Sequence, residues 1–191
     1  MQSIDIIITT AKQIIECEPN KITNVIIDTN NTDLIINLSQ EQAQCNIYGL
    51  QLAQNTETYS LNLLINHTAP NCISNTILRG VYTDNAIGNI TAKIHVHPYA
   101  YKTNAALENK NLLLSNTATV NTLPQLEIYN DDVKCSHGAT IGALDVEALF
   151  YLQSRGIAYS AARKILIESF ISPTFFNEQI KYHAQKKLSN F

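Results

Sequence analysis

From residue 4 to about residue 130 the chain runs in short apolar stretches broken by Asn, Asp, Gly or Thr. The stretches cover residues 4–8, 23–27, 34–38, 46–50, 59–65, 73–78, 90–96, 111–114 and 126–129. Several alternate with period two: Leu61, Leu63 and Ile65 share one face, as do Ile94 and Val96. Alternation of this kind predicts half-buried β-strands. The strands recur at uneven intervals of roughly ten to twenty residues, the rhythm of a β-solenoid or a sandwich. Asn-Gly and Asp-Gly hairpin signals are missing between them, which favours stacked parallel strands over antiparallel pairs. Asn at the bends fits, because it tolerates the left-handed backbone and hydrogen-bonds locally. The pattern alone leaves solenoid and sandwich both open.

Near residue 145 the period changes to that of a helix. Asp145 is a good N-cap, and Glu147 in the first turn suits the helix dipole. Val146, Leu149 and Phe150 fall on one face, and Gly156 after Arg155 is a helix stop. Ser160 is expected to cap a second helix carrying Ala162, Ile165, Leu166, Ser169 and Phe170 at helical spacing. Ser172-Pro173 is expected to end it and start a third, since Pro suits the first helical position and disfavours helix at the residue before. Phe176, Ile180, Ala184 and Leu188 would form the third stripe, with Lys186 and Lys187 at its C-terminus. The expected division is a β-solenoid core over residues 1–143 and a small helical segment over residues 144–191.

Composition narrows the function classes. Of 191 residues, 45% are hydrophobic and 15% charged, enough apolar content to bury a core and too little charge for a disordered chain. A net charge of −3 offers no basic face for nucleic acid. No run approaches the ~18 apolar residues of a membrane helix, and the first residues lack a signal-peptide pattern. Cys17, Cys45, Cys72 and Cys135 form no CxxC pair, so reduced thiols and a cytoplasmic location are expected. No phosphate-binding Gly loop, GxSxG or HExxH occurs, and nothing reads as a self-sufficient active site.

The most informative stretch is Asp131-Asp132-Val133-Lys134-Cys135-Ser136-His137-Gly138-Ala139-Thr140. In an extended backbone Cys135 and His137 share a face, offering sulfur and nitrogen to a soft or borderline metal. Two ligands do not close a site, so a second chain is the obvious supplier of the rest. Spacing alone equally allows a strand end with a packed thiol and a hydrogen-bonded imidazole. Asp131 and Asp132 read either as hard ligands or, preferably, as caps of the bend after the 126–129 strand, with Lys134 as their ion partner. His95 and His97 share a strand face as in cupin metal sites. The carboxylate, Gly and later His of that pattern do not follow, so surface imidazoles are the better reading. His67 and Cys72 read as a strand, a Pro turn and a second strand with a buried thiol.

Several segments together resemble one family. They are His67-Thr-Ala-Pro-Asn-Cys72-Ile-Ser74, Arg79-Gly80-Val81, Lys102-Thr103, Asn111-Leu112-Leu113-Leu114-Ser115, residues 124–140, and Phe150-Tyr151-Leu152-Gln153-Ser154-Arg155-Gly156-Ile157. In this order they resemble the SufB/SufD family of the Suf iron–sulfur cluster assembly system, on its SufD side. The resemblance covers roughly residues 60–172, with only pattern-level likeness before it.

The resemblance implies a right-handed parallel β-helix with a C-terminal helical domain. It implies a non-catalytic scaffold that binds a SufB-type paralogue through the strand carrying Cys135 and His137, and a SufC-type ABC ATPase through the C-terminal helices. His137 is then the ligand to transient iron or a nascent cluster shared with the paralogue, and Cys135 a weaker accessory thiol. No cofactor is expected to stay bound to the chain alone, and a homodimer of the isolated chain is admitted. Leu149, Phe150, Tyr151, Arg155, Ile165 and Phe170 are the candidate ATPase contacts. The chain departs from the family in its short length, in Gln153 where Arg is usual, and in Tyr101 where Gln is usual. The rivals are a purely structural SufD-like partner and a stand-alone metal enzyme using His95 and His97.

Overall fold

The computed structural model describes residues 2–189. Its β-strands are β1 (Gln2–Ile8), β2 (Lys12–Glu16), β3 (Lys21–Ile27), β4 (Asn31–Leu38), β5 (Gln44–Ala53), β6 (Thr58–His67), β7 (Ile73–Tyr82), β8 (Ile87–Val96), β9 (Asn104–Leu113), β10 (Thr119–Ile128) and β11 (Lys134–Ala143). The helices α1 (Val146–Ser154), α2 (Tyr159–Ile171) and α3 (Glu178–Ser189) follow, with a 3-10 turn over Ser172–Thr174. Odd strands form a six-stranded sheet in the order β1-β3-β5-β7-β9-β11, and even strands a five-stranded sheet in the order β10-β8-β6-β4-β2. All pairings are parallel. A chain that alternates strictly between two parallel sheets winds as a coil, so the fold is the expected β-solenoid rather than a sandwich.

The core lies between the sheets. Alternate residues such as Leu34, Ile36 and Leu38 on β4 and Leu61, Leu63 and Ile65 on β6 are buried, while their neighbours face outward. Each fully buried aliphatic side chain contributes about 1.5–3 kcal/mol. At the bends Asn20, Asn55 and Asn71 take positive φ, as expected, and so do Gln42, Asp84 and Lys102.

From Leu78 to Tyr82, β7 is buried on both faces. The helices cover its outer side, where Val81 and Leu112 pack with Ile167, Ile171, Ala184 and Leu188. Asp145 caps α1 through its carboxylate, which accepts from the backbone N–H of Glu147 and Ala148. Gly156 takes φ +84° beyond the end of α1. Three helical expectations need correction. The second helix is capped at Ala158 without a side-chain bond, and Ser160 lies inside its first turn. Its buried residues are Ala162, Ile167 and Ile171, whereas Ile165 is exposed, because contact with the solenoid selects the face. Pro173 sits in the 3-10 turn and the third helix begins only at Glu178. Phe176 stacks on Tyr48 ahead of that helix, and Ile180 lies outside the described side chains.

Candidate metal and partner interface at the open end of the coil

The last coil is formed by β10 and β11, each hydrogen-bonded on one side only, to β8 and β9 respectively. In register, Cys135 lies opposite Ala105 and His137 opposite Leu107. Ala105 and Leu107 belong to the inner core. Cys135 and His137 therefore continue the inward-facing columns of the sheet, at a coil that no further strand among the described residues covers. Cys135 packs partly against the core, and burial pushes its thiol up from the ordinary value. His137 is exposed. The pair thus presents one accessible imidazole and one thiol that must lose its proton before it binds metal.

Among the described residues no three His, Cys, Asp or Glu side chains converge into a metal site. The donor set at Cys135 and His137 is incomplete within one chain. Around it the end coil exposes Leu123, Ile128, Tyr129 and Ile141. An unpaired strand edge bearing apolar side chains is a template for another chain. Pro124 in β10 lacks the N–H that a continued ladder needs, which leaves β11 the better edge for strand addition.

The turn before β11 differs from expectation. Its cap is Asn130, whose Oδ1 accepts from the Asp132 N–H at 2.9 Å and whose Nδ2 donates to Pro98 O at 2.6 Å. Lys102 N–H donates to Asp132 O at 2.6 Å. Asp131 and Asp132 are exposed, and no ion pair among the described residues joins them to Lys134.

His95 on the outer face of β8 and His97 just beyond its end have ring centroids 4.3 Å apart, and Tyr129 meets His95 edge-on at 5.7 Å. Glu127 lies opposite His95 in register. Its carboxylate is already engaged: it pairs with Lys93 and accepts from the Tyr129 hydroxyl at 2.6 Å. These two contacts hold it down to about 2, so it is no free third ligand. His67 is fully buried and shares a 2.8 Å hydrogen bond with Ser74 Oγ, while its Nδ1 has no partner among the described residues. Burial lowers it to about 4. Cys72 is buried as expected, with its thiol against the carbonyls of Gln40 at 3.3 Å and Pro70 at 3.5 Å.

At the helical end, Val146 is 73% and Phe150 72% exposed. Tyr151, Tyr159 and Ile165 are also exposed, and Arg155 lies over the Tyr151 ring at 5.2 Å. Leu149 is half-buried. Phe170 stands apart from the other expected ATPase contacts: it packs inward on the Val81–Ile167 cluster, under Arg79. Sequence reasoning named Arg79 only within a family-like segment, with no role assigned, and did not single out Glu108; the two tie α2 to the solenoid. The available signal was the run Ile77-Leu78-Arg79-Gly80-Val81-Tyr82. Its loss of alternation marks a strand covered on both faces, and an Arg inside such a run must have partners.

The family model described as SUF system FeS cluster assembly, SufBD core domain, matches residues 21–170. The iron-sulfur cluster assembly protein SufD of Escherichia coli is 38% identical over 133 residues, which is 70% of this chain and 31% of that protein. An iron-sulfur cluster assembly SufBD family protein of Synechocystis is 40% identical over 117 residues, 61% of this chain and 25% of its own length. SufD of Plasmodium falciparum is 29% identical over 148 residues, 75% of this chain and 10% of that protein. The chain spans about a third or less of the length of these curated relatives.

Proposed function

The chain belongs to the SufBD core family of the SUF system, and we propose that it acts in iron–sulfur cluster assembly as a non-catalytic scaffold subunit. The observation that carries this reading is the placement of Cys135 and His137 on the inward column of an uncovered end coil. Half a ligand set there is completed by a SufB-type paralogue stacked on the same edge. Iron and sulfide are the cargo. His137 supplies a neutral imidazole nitrogen to iron, and Cys135 a thiol that becomes a ligand only on deprotonation. Both requirements make holding iron here weaker in acid. In the isolated chain the same edge pairs with a second copy.

The second docking face is helical. Exposed Val146, Phe150, Tyr151, Tyr159 and Ile165 form an apolar surface of the kind a partner covers, and the SufC-type ATPase is its proposed occupant. ATP-driven movement of that partner shifts the helices against the solenoid and opens the end coil to iron and sulfide. The chain itself makes and breaks no bonds, and the expected setting is the cytoplasm. A purely structural role for the subunit is the second reading, favoured by the half-buried Cys135, whose thiol burial pushes up.

His137→Ala separates the two readings. In a complex with paralogue and ATPase, at matched complex abundance, the substitution is expected to lower cluster formation at least about tenfold, the scale of losing a metal-site contact. Cluster yield measured by visible absorbance and iron content that stays at the wild-type level would leave only the structural role.

A further inference from the structure

Arg79 projects from β7 beneath the helices, and its side chain is 5% exposed. Its Nε donates to Phe170 O at 3.3 Å and its Nη1 to Leu78 O at 3.0 Å, while Nη2 binds the Glu108 carboxylate. The guanidinium also lies 5.8 Å from the Phe170 ring centroid. Phe170 is in the last turn of α2, where carbonyls have no intrahelical donor and the helix dipole is negative. A full positive charge therefore sits at the end of that helix. Glu108, on β9, lies opposite Ile77 of β7 on one side and Gly138 of β11 on the other. Gly138 follows His137 directly.

The ion pairs of the described residues differ in burial. Each of the others has side chains at least 33% exposed on both partners, and exposed pairs constrain geometry little. Lys187 to Asp28, a second polar link between helices and solenoid, is of that exposed kind. The apolar contacts under the helices are non-directional and tolerate sliding. The fork of Arg79 is directional and its guanidinium is desolvated, while its partner Glu108 is 45% exposed and also holds Lys110 at 2.9 Å.

We infer that Arg79 and Glu108 form the joint through which displacement of the C-terminal helices reaches β11 and the Cys135–His137 end of the coil. This rests on the scaffold reading above, in which the ATPase moves the helices. The path runs from the α2 terminus through Arg79 to Glu108, and then across the β9–β11 ladder, in which Leu107 pairs with His137 and Glu108 with Gly138. Contiguity alone does not establish coupling, so the test must read motion at the far end.

Cys135 is a native reporter, because it is half-buried at the end coil while Cys17, Cys45 and Cys72 are buried and serve as references. The experiment follows N-ethylmaleimide labelling of Cys135 by mass spectrometry, with and without ATP, in the complex of the full-length protein with its paralogue and the ATPase. The variants are Glu108→Ala, which leaves Arg79 on the helix carbonyl, and Arg79→Lys, which keeps the charge and loses the fork. The expected result is an ATP-dependent change in the wild-type complex that is lost in both variants, while assembly and ATP hydrolysis persist. A merely structural contact would lower assembly and leave the ATP response intact in whatever complex forms. Should Arg79→Lys fail to assemble, Glu108→Ala decides alone, since its side chain is 45% exposed and tolerates truncation. An undiminished ATP response in Glu108→Ala overturns the joint. No ATP response in the wild type overturns the lever reading itself, and the joint with it.

Discussion

Tyr82 fills the interior of the coil, with its hydroxyl donating to Gln51, in a space that two glycines leave free. A Cβ at residue 88 would stand 2.6 Å from the Tyr82 ring, and one at residue 80 would stand 2.5 Å from Asn111 Oδ1. Overpacking of this kind costs about 1–3 kcal/mol. Gly88→Ala is therefore expected to lower stability by about that amount, seen as a lower urea midpoint at unchanged slope; an unchanged midpoint would show that Tyr82 has room to move. His67 makes a second residue-scale prediction. Its pKa falls from 6.5 to about 4 on burial, so between those values the unfolded chain binds the extra proton. Stability from this group is fully present above pH 6.5 and drains as pH falls towards 4, by about 3 kcal/mol in all. Urea unfolding at a series of pH values should show that slope in the wild type and a shallower one in His67→Gln. Equal slopes would place the acid sensitivity elsewhere.

Elements were legible where local pattern and tertiary environment agree. β4, β6 and β8 alternate cleanly because each has the core on one face and solvent on the other. The first half of β9, Asn104-Ala-Ala-Leu-Glu-Asn-Lys, has weak strand propensity and is held by its neighbours β7 and β11, so it escaped a reading by residue type. β2 escaped for the same reason, being short and polar at both ends. In the helices the period was visible and the buried face was not, since which side of α2 meets the solenoid is decided by packing across about ninety residues of chain, as the Arg79–Phe170 contact shows. The Cys135–His137 pairing was readable because period two alone puts both on one face. That this face continues the inner column of an end coil required the register. The role of Arg79 was hidden because its distant partners come from two other elements, α2 and β9.

At the scale of the whole molecule, two exposed surfaces of different kind, the proposed docking faces, adjoin at the end of the coil, where Ile141 of β11 and Val146 of α1 line one cavity. The end coil offers a strand edge, exposed Leu123 and Ile128, and the thiol and imidazole of Cys135 and His137. The helices offer exposed apolar side chains around Val146 and Phe150. A scaffold that connects an ATPase to a cluster site needs both surfaces and a link between them, and sequence order already joins them, with α1 beginning three residues after β11 ends. The most direct test of this arrangement is a binding measurement. The full-length protein is mixed with a SufB-type paralogue and a SufC-type ATPase and read by light scattering after size exclusion, as wild type, as Leu123→Asp/Ile128→Asp and as Val146→Asp/Phe150→Asp. The account predicts a ternary complex for the wild type, selective loss of the paralogue in the first variant and selective loss of the ATPase in the second. A folded wild-type protein that binds neither partner, or variants that release both partners alike, would contradict it.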